Sequence, residues 1–185
     1  MLLVVGFIAV DLFVGYRDGI AHPVAEVAEV AGLSVGTTVG DLAPDFTGTT
    51  LDGETIRLGD LRGKVVLVND FASWCGPCLA ETPHLVEVFN TNAEDVVFIG
   101  LNLQESEDAV VTYRDDFAVT YPLVLDPDGR LIDIYKPIGL PTSWFIDPDG
   151  VVRYVHVGPM TAGMIQRALD EVAAGREPDL ATLTG

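Results

Sequence analysis

The chain of 185 residues has two cysteines, and both lie in one short stretch, Trp74-Cys75-Gly76-Pro77-Cys78. Two thiols separated by two residues at the start of a helix can close into a disulfide with little backbone movement. Unpaired backbone N–H groups and aligned peptide dipoles at a helix N-terminus favour negative charge, so they stabilise a thiolate. Because the thiolate is the form that attacks disulfides, this spacing predicts a thiol–disulfide redox centre.

The residues around the motif predict a strand followed by a helix. Val65–Asn69 is a β-branched run, which is typical of a buried central strand. Beyond the second cysteine, apolar side chains recur at helical spacing and predict a helix from Pro77 to about Phe89. Proline suits the first helical turn, where its missing N–H is not needed. This arrangement is expected to expose one sulfur and to cover the other.

Further segments of the chain, together with this motif, resemble the TlpA/ResA-like branch of the thioredoxin-fold oxidoreductases. The active-site segment is Val65 to Pro83, and Gly139-Leu140-Pro141-Thr142 resembles the family loop that carries a cis-proline. Segments similar to the family's N-terminal hairpin and a later turn are Ala43–Phe46, Leu51–Gly53, Leu61–Lys64 and Asp147–Gly150. The resemblance covers about Val39 to Ala174. It implies an α/β, thioredoxin-like fold: a central mixed sheet flanked by helices, with an N-terminal hairpin and a TlpA/ResA-type insertion.

The resemblance also implies a role for each residue of the motif. Cys75 is the expected attacking thiol and Cys78 the buried resolving thiol, so the redox-active disulfide Cys75–Cys78 is expected to work without a bound cofactor. The residues expected to contact the substrate are Trp74, Gly76, Pro77, Leu140 through its backbone, and Pro141 in the cis form.

Three residues near the cysteines bear on proton handling and helix shape. Glu81 matches an acidic residue of this branch, and its carboxylate could accept or deliver a proton as Cys78 changes state. Asn69 stands where many thioredoxins carry a buried aspartate, and asparagine cannot titrate. Proton handling is therefore expected to fall to Glu81 or to water. Pro83 matches the helix-kinking proline of the family.

Asp70 departs from the family pattern, which has an aromatic or aliphatic residue at this place. Strand alternation points its side chain to the face opposite Asn69. A carboxylate buried without a partner is costly and has a raised pKa. Three interpretations are open: a wet strand end, a pair with an arginine, or a contact with another subunit.

Composition limits the partners and the number of domains. The net charge of −18 excludes a nucleic-acid-binding surface, which would have to be basic. The length allows one domain with an N-terminal extension. We predict strands at Val96–Leu103, Leu123–Leu125, Thr142–Ile146 and Val151–Val157, and helices at Ser106–Phe117 and Thr161–Ala174. The segment Asn102 to Tyr135 is expected to be an insertion that adds a helix and an edge strand.

The first residues of the chain decide where the protein acts. Residues 1–15 form an apolar segment interrupted by Asp11 and are interpreted as a membrane anchor, residues 16–38 as a linker, and residues 39–185 as the thioredoxin-like domain. The apolar run is shorter than the ~20 residues that span a bilayer, and no basic residue precedes it. The tail of a longer signal sequence and a helix buried against protein therefore remain alternatives. The expected location is membrane-anchored and extracytoplasmic.

Partners follow from the resemblance, and two other functions compete with it. Protein disulfides are the expected substrates, with apocytochrome c or copper-site cysteines among them, and a membrane thiol transporter is the expected electron donor. One rival is an accessory subunit that uses the fold to bind a membrane complex, supported by Asp11 and Asp70. The other is a copper carrier that would add His156 to the two cysteines. The two Asp-Pro-Asp-Gly segments are turn chemistry without EF-hand spacing, so no metal site is predicted.

Overall fold

The computed structural model describes residues 32–94 and 96–179. Seven strands in that part of the chain form one sheet of order β2-β1-β5-β4-β3-β6-β7. The strands are β1 (Thr47–Thr50), β2 (Thr55–Arg57), β3 (Val65–Phe71), β4 (Val96–Leu103), β5 (Leu123–Asp126), β6 (Thr142–Ile146) and β7 (Val152–Val157). The helices are α1 (Gly76–Asn92), α2 (Glu107–Phe117), α3 (Arg130–Tyr135) and α4 (Ala162–Ala173), with a 3₁₀ turn at Leu58–Leu61.

The sheet is mixed, and its centre is parallel. β3 pairs with β4 and β4 with β5 in parallel, whereas β6 and β7 continue the sheet from β3 in antiparallel order. Helices cover both faces of the sheet: α1, α2 and α4 pack on one face and α3 on the other. The predicted α/β fold with a central mixed sheet is therefore confirmed.

β3 is the strand that positions the redox motif, and it is buried along its whole length. Val65, Leu67 and Phe71 contribute to the core under α1 and α4, whereas Val66 and Val68 contribute to the core on the α3 face. A strand covered on both faces reads as a nearly continuous apolar run, which is why the sequence marked it clearly. Its C-terminal end leads directly into the two cysteines.

The insertion differs from its prediction in two ways. β5 is not an edge strand, because the β1–β2 hairpin pairs with its free side and places it inside the sheet. The helix α3 was missed, since the Asp-Pro-Asp-Gly segment before it was interpreted as a turn alone. Asp126 Oδ2 accepts hydrogen bonds at 2.9 Å from the backbone N–H groups of Leu131 and Ile132, and so satisfies two unpaired donors at the start of this helix.

Residues on either side of Val39 hydrogen-bond to one another and to the start of β7. The N–H of Leu42 donates to Ser34 O at 2.8 Å, and the N–H of Val152 donates to Asp41 O at 2.9 Å. The last residues of the predicted linker, 16–38, thus contact Leu42, which is bridged to Val151 just before β7. The predicted anchor, residues 1–15, lies outside the described residues. No helix in the described part of the chain is both long and apolar enough to cross a membrane.

Candidate active site

The two cysteines lie at the first turn of α1. Cys75 is the N-cap residue, and its Sγ accepts a hydrogen bond at 3.2 Å from the backbone N–H of Cys78. The two residues form a disulfide with their Cα atoms 5.2 Å apart. The first turn carries no acidic residue. A thiolate formed at Cys75 would thus meet an N–H donor and the positive end of the helix dipole without a carboxylate in that turn.

In the disulfide form both cysteines are covered. Cys75 is 5% exposed and Cys78 is 2% exposed, so the expected contrast between an open and a sheltered sulfur is small. The side chain beside them is open: Trp74 is 66% exposed. Gly76 and Pro77 are also exposed. These three residues form an accessible rim around the disulfide.

The proline loop is held against β3 and the turn after β7. The peptide bond between Leu140 and Pro141 is cis. The carbonyl of Pro141 accepts from the N–H of Gly158 at 2.8 Å. Thr142 Oγ1 donates to Gly139 O at 2.6 Å, and the N–H of Thr142 donates to Asp70 Oδ1. Leu140 packs against the core cluster that contains both cysteines.

Glu81 is a buried carboxyl one turn beyond Cys78 on α1. It is 1% exposed. Its Oε1 accepts from the N–H of Met160 at 2.9 Å, and its Oε2 accepts from Asn69 Nδ2 at 3.1 Å. Burial raises the pKa of Glu81 to about 7, against these two hydrogen bonds, which lower it. A group with this pKa exchanges protons at neutral pH, which suits a proton acceptor for a thiol.

Asp70 is a second buried carboxyl, on the opposite face of β3. It is fully buried, so the interpretation that its side chain lies at a solvated strand end is wrong. No arginine in the described part of the chain pairs with Asp70, so the interpretation as an ion pair is also wrong. Because residues of its own chain cover the side chain, it cannot contact another subunit. Burial raises the pKa of Asp70 to about 7, while the bond from Thr142 lowers it and the charge of Glu81 raises it further.

Two polar clusters near the motif were not predicted. Glu105 accepts from the N–H of Ser73 at 2.8 Å and from Ser73 Oγ at 2.5 Å, and Asn102 Nδ2 donates to it at 2.7 Å. Asn102 lies near the C-terminal end of β4, beside the end of β3. Polar residues at the ends of adjacent parallel strands are a signal that could have found this cluster.

The second cluster joins α1 to α2. Thr82 Oγ1 donates to Cys78 O at 2.7 Å and lies 2.5 Å from the hydroxyl of Tyr113. The Tyr113 ring stacks on Phe71 with 4.5 Å between centroids. The insertion helix is thereby tied to the turn of α1 that carries the second cysteine. Thr82 lies four residues after Cys78, which is the spacing of a side chain that bonds the preceding turn.

The other predicted residues lie apart from the reacting sulfurs. Pro83 is inside α1, on its exposed side. His156 is on β7, where its Nδ1 lies 3.0 Å from the hydroxyl of Tyr154 and burial lowers its pKa. Among residues 32–94 and 96–179 no three His, Cys, Asp or Glu side chains are grouped so that they could hold a metal ion.

Comparison with known proteins identifies the family. The profile of the AhpC/TSA family matches residues 39–155. This chain belongs to the AhpC/TSA family. Within this family it is 34% identical to the thiol-disulfide oxidoreductase ResA of Oceanobacillus iheyensis, over 73% of each chain. A thioredoxin-family thiol:disulfide interchange protein from Chlorobium tepidum is 32% identical, with a TM-score of 0.66, and the match covers 75% of this chain and 98% of that one.

A further structural neighbour is a secreted disulfide oxidoreductase from Mycobacterium tuberculosis, described as homologous to Escherichia coli DsbE. It is 26% identical, with a TM-score of 0.60, and the match covers 70% of this chain and 95% of that chain. The predicted resemblance to ResA-like oxidoreductases is confirmed. This AhpC/TSA member is a thioredoxin-fold thiol–disulfide oxidoreductase.

Proposed function

We propose that this protein reduces disulfide bonds of extracytoplasmic proteins through the Cys75–Cys78 couple. The observation that carries the proposal is the pairing of these cysteines at the start of α1 with a buried carboxyl, Glu81, one turn away. A buried acid beside Cys78 disfavours a thiolate there, because two negative charges would share a low-dielectric site. Destabilising the thiolate favours the disulfide form of the enzyme, which makes the reduced form a stronger reductant.

The reaction transfers two electrons in two exchange steps. The Cys75 thiolate attacks one sulfur of the substrate disulfide, the S–S bond breaks, and the other substrate sulfur leaves as a thiolate. Cys78, deprotonated, then attacks Cys75 Sγ in the mixed disulfide. This step forms the Cys75–Cys78 bond and releases the second substrate thiolate. The substrate is reduced to a dithiol, the enzyme is oxidised, and a dithiol donor must reduce the enzyme again.

Glu81 would serve the second exchange step as the base for Cys78. The two residues are three positions apart on α1, so their side chains lie on one face of the helix. The proton of the Cys78 thiol passes to the Glu81 carboxylate as the thiolate attacks. Asn69, which cannot titrate, and the N–H of Met160 hold the two carboxylate oxygens.

The exposed rim and the proline loop would bind the substrate. Trp74 presents a large apolar surface beside the disulfide, and the backbone of Leu140 would pair with an extended segment that flanks the target cysteine. Trp74 directly precedes Cys75 in the chain, and Leu140 packs against the core cluster that contains both cysteines. The substrates of this class that we propose are apocytochrome c and copper-site cysteines.

Location and electron supply complete the proposal. Residues 1–15 would anchor the domain at the outer face of the membrane, and a membrane thiol transporter would return electrons to the disulfide. The secreted mycobacterial neighbour supports an extracytoplasmic site of action. The dithiol form of Cys75 and Cys78 carries the two electrons to the substrate, so the chemistry requires no bound cofactor.

The redox equilibrium of Cys75–Cys78 against glutathione tests the proposal, with Cys75→Ser and Cys78→Ser as controls. We expect a reversible two-electron couple that needs both thiols and is more reducing than glutathione. Cys78→Ser should accumulate the mixed disulfide at Cys75, whereas Cys75→Ser should form none during turnover. A couple more oxidising than glutathione would reverse the proposed direction. Cysteines that do not exchange would refute the enzymatic proposal and leave the accessory-subunit or copper-carrier roles.

A further inference from the structure

Asp70 is a buried ionisable group that the two exchange steps do not use. It is fully buried, and its Oδ2 has no hydrogen-bond partner among the described residues. Leaving a buried polar atom unpaired costs roughly 1–3 kcal/mol. An apolar side chain would avoid that cost on a face of β3 that otherwise contributes Val66 and Val68 to the core. Packing therefore does not explain why a carboxyl occupies this position.

Within residues 32–94 and 96–179, Asp70 accepts one hydrogen bond from another strand, and its donor belongs to the proline loop. Asp70 lies opposite Thr142 in the β3–β6 register, and its Oδ1 accepts from the Thr142 N–H, the first amide after Pro141. The preceding residue, Asn69, lies opposite Ser143, and Asn69 Nδ2 donates to Ser143 Oγ at 2.9 Å on the other face. Two successive side chains of β3 thus hold the first two residues of β6 from both faces of the sheet.

We propose that Asp70 is a positioning residue of disulfide exchange: its carboxyl holds the Thr142 amide and thereby fixes the backbone of Leu140 and Pro141 that binds the substrate. The inference rests on the proposed function, because it assumes that a substrate segment pairs with this loop. Asp70 acts through Thr142 and does not touch the sulfurs. Its removal should therefore weaken the binding of extended substrates and leave the chemistry of the cysteines intact.

Ionisation of Asp70 should change the strength of this hold, since a carboxylate accepts a stronger hydrogen bond than a neutral acid. The titratable group whose charge acts on Asp70 is Glu81 of α1. Its neighbours in register on β4 and β6, Leu101 and Thr142, are uncharged. On the α3 face lies Tyr135, whose pKa burial raises far above the neutral range, with Asp45 and Arg62 near it. The charges of Asp45 and Arg62 are not among those that shift the pKa of Asp70.

The kinetic test uses the full chain with two disulfides: a disulfide-bonded peptide, and bis(2-hydroxyethyl) disulfide, which has no peptide backbone to pair with the loop. Asp70→Asn keeps an acceptor for the Thr142 amide, and Asp70→Leu removes it. We expect Asp70→Leu to raise KM for the peptide about fivefold to tenfold, as the loss of one positioned hydrogen bond would. Asp70→Asn should stay within about twofold of wild type, and kcat/KM for the small disulfide should be unchanged in both.

A matched control separates positioning from stability. Tyr135→Phe removes a buried hydrogen bond, from Tyr135 to Pro44 O at 3.2 Å, on the same face of the sheet. It should lower Tm without changing the peptide KM. The proposal is overturned if Asp70→Leu leaves the peptide KM unchanged, or if it slows both disulfides equally. If wild type reduces neither disulfide, the proposed function fails, and the amide resonance of Thr142 still decides the role of Asp70.

The amide resonance of Thr142 can be followed in the wild-type protein and in conservative variants. In the oxidised protein, where the cysteines do not titrate, we expect the Thr142 amide proton to shift downfield as pH rises through about 7. Asp70→Asn should abolish the shift, whereas Glu81→Gln should keep it with a lower midpoint. A Thr142 resonance that does not respond to pH, or that responds equally in Asp70→Asn, would overturn the proposal.

Discussion

Asn69 Nδ2 bridges Glu81 Oε2, at 3.1 Å, and Ser143 Oγ, at 2.9 Å. A side chain that cannot titrate thus orients the carboxyl that can, and it ties α1 to β6 at the same point. Many thioredoxins have a buried aspartate where this chain has Asn69, so the ionisable group near the cysteines comes from a different element. Here the ionisable group beside the cysteines comes from the helix, at Glu81, and the strand supplies its hydrogen-bond donor.

Replacing Glu81 by glutamine should change the pH profile of the resolving step. Glutamine preserves the size of the side chain but cannot take the Cys78 proton. In wild type we expect the rate to rise with pH through about 7, where Glu81 ionises. In Glu81→Gln this rise should disappear, and at about pH 7.5 the step should be roughly tenfold or more slower, as the loss of a general base implies. Stopped-flow fluorescence of Trp74 after mixing reduced enzyme with a disulfide measures the rate.

The control for this prediction is the first exchange step, in which Cys75 attacks without the help of Glu81. Cys78→Ser isolates that step because the reaction stops at the mixed disulfide. Its pH profile should be the same in Cys78→Ser and in the double variant that also carries Glu81→Gln. An unchanged profile of the resolving step in Glu81→Gln would rule out Glu81 as the base.

The stability of the oxidised protein should fall as pH rises from about 4 to about 7. The pKa values of Asp70 and Glu81 are about 7 in the folded protein, above ordinary values of 3.8 and 4.5. Between these limits the folded state holds protons that the unfolded state has lost, so each group reduces stability by up to about 1.4 kcal/mol per pH unit. Urea unfolding at a series of pH values measures the slope. Asp70→Asn should flatten it, and the same slope in that variant would contradict the expectation.

Truncating Trp74 should weaken substrate binding without destabilising the fold. The side chain is 66% exposed, so the free energy of unfolding of Trp74→Ala should stay within about 0.5 kcal/mol of wild type. We expect KM for a disulfide-bonded protein to rise several-fold and the redox equilibrium with glutathione to stay the same. Trp74→Phe is the matched control, because it retains an apolar ring at the rim. Equal KM values for wild type and Trp74→Ala would place the substrate surface elsewhere.

Removing the hydroxyl of Tyr113 should loosen the insertion helix from α1. In Tyr113→Phe the ring can still stack on Phe71, but the hydrogen bond to Thr82 Oγ1 is lost. Thr82 keeps its bond to Cys78 O, but the buried hydroxyl of Tyr121, which hydrogen-bonds to that of Tyr113, loses its partner. The expected loss is about 1–3 kcal/mol in the free energy of unfolding, because a buried donor is left unpaired. Amide hydrogen exchange should accelerate in α2 first, and an increase spread evenly over the domain would argue against a local link.

Local sequence patterns predicted the elements that apolar runs mark clearly. The bounds predicted for β4 and β6 coincide with those observed. β4 is a largely apolar run, and β6 lies between the proline loop and the Asp147-Pro148-Asp149-Gly150 turn. The six-residue helix α3 is too short for helical periodicity to appear, and its start is fixed by the Asp126 side chain. The internal place of β5 depends on the β1–β2 hairpin, which lies far earlier in the chain, and no local pattern encodes strand order.

In the candidate site, too, local patterns predicted some residues, whereas contacts between distant parts of the chain could not be predicted. The motif and the proline loop predicted the two cysteines, Trp74 and Pro141 as site residues. The environment of Glu81 could not, because the N–H that binds its Oε1 belongs to Met160, 79 residues further on. The acceptor for the Thr142 amide likewise comes from Asp70, 72 residues earlier. Sequence placed Asp70 on the correct face of β3, but its partner depends on the β3–β6 register.

The sulfur of Cys75 is also the atom that caps α1, through the N–H of Cys78. A thiolate is a stronger acceptor than a disulfide sulfur, so each turnover alternately tightens and relaxes the beginning of this helix. The Cys78 amide proton therefore reports the redox state of the cysteine pair. Its resonance should shift whenever the pair gains or loses electrons, without any dye or label on the protein.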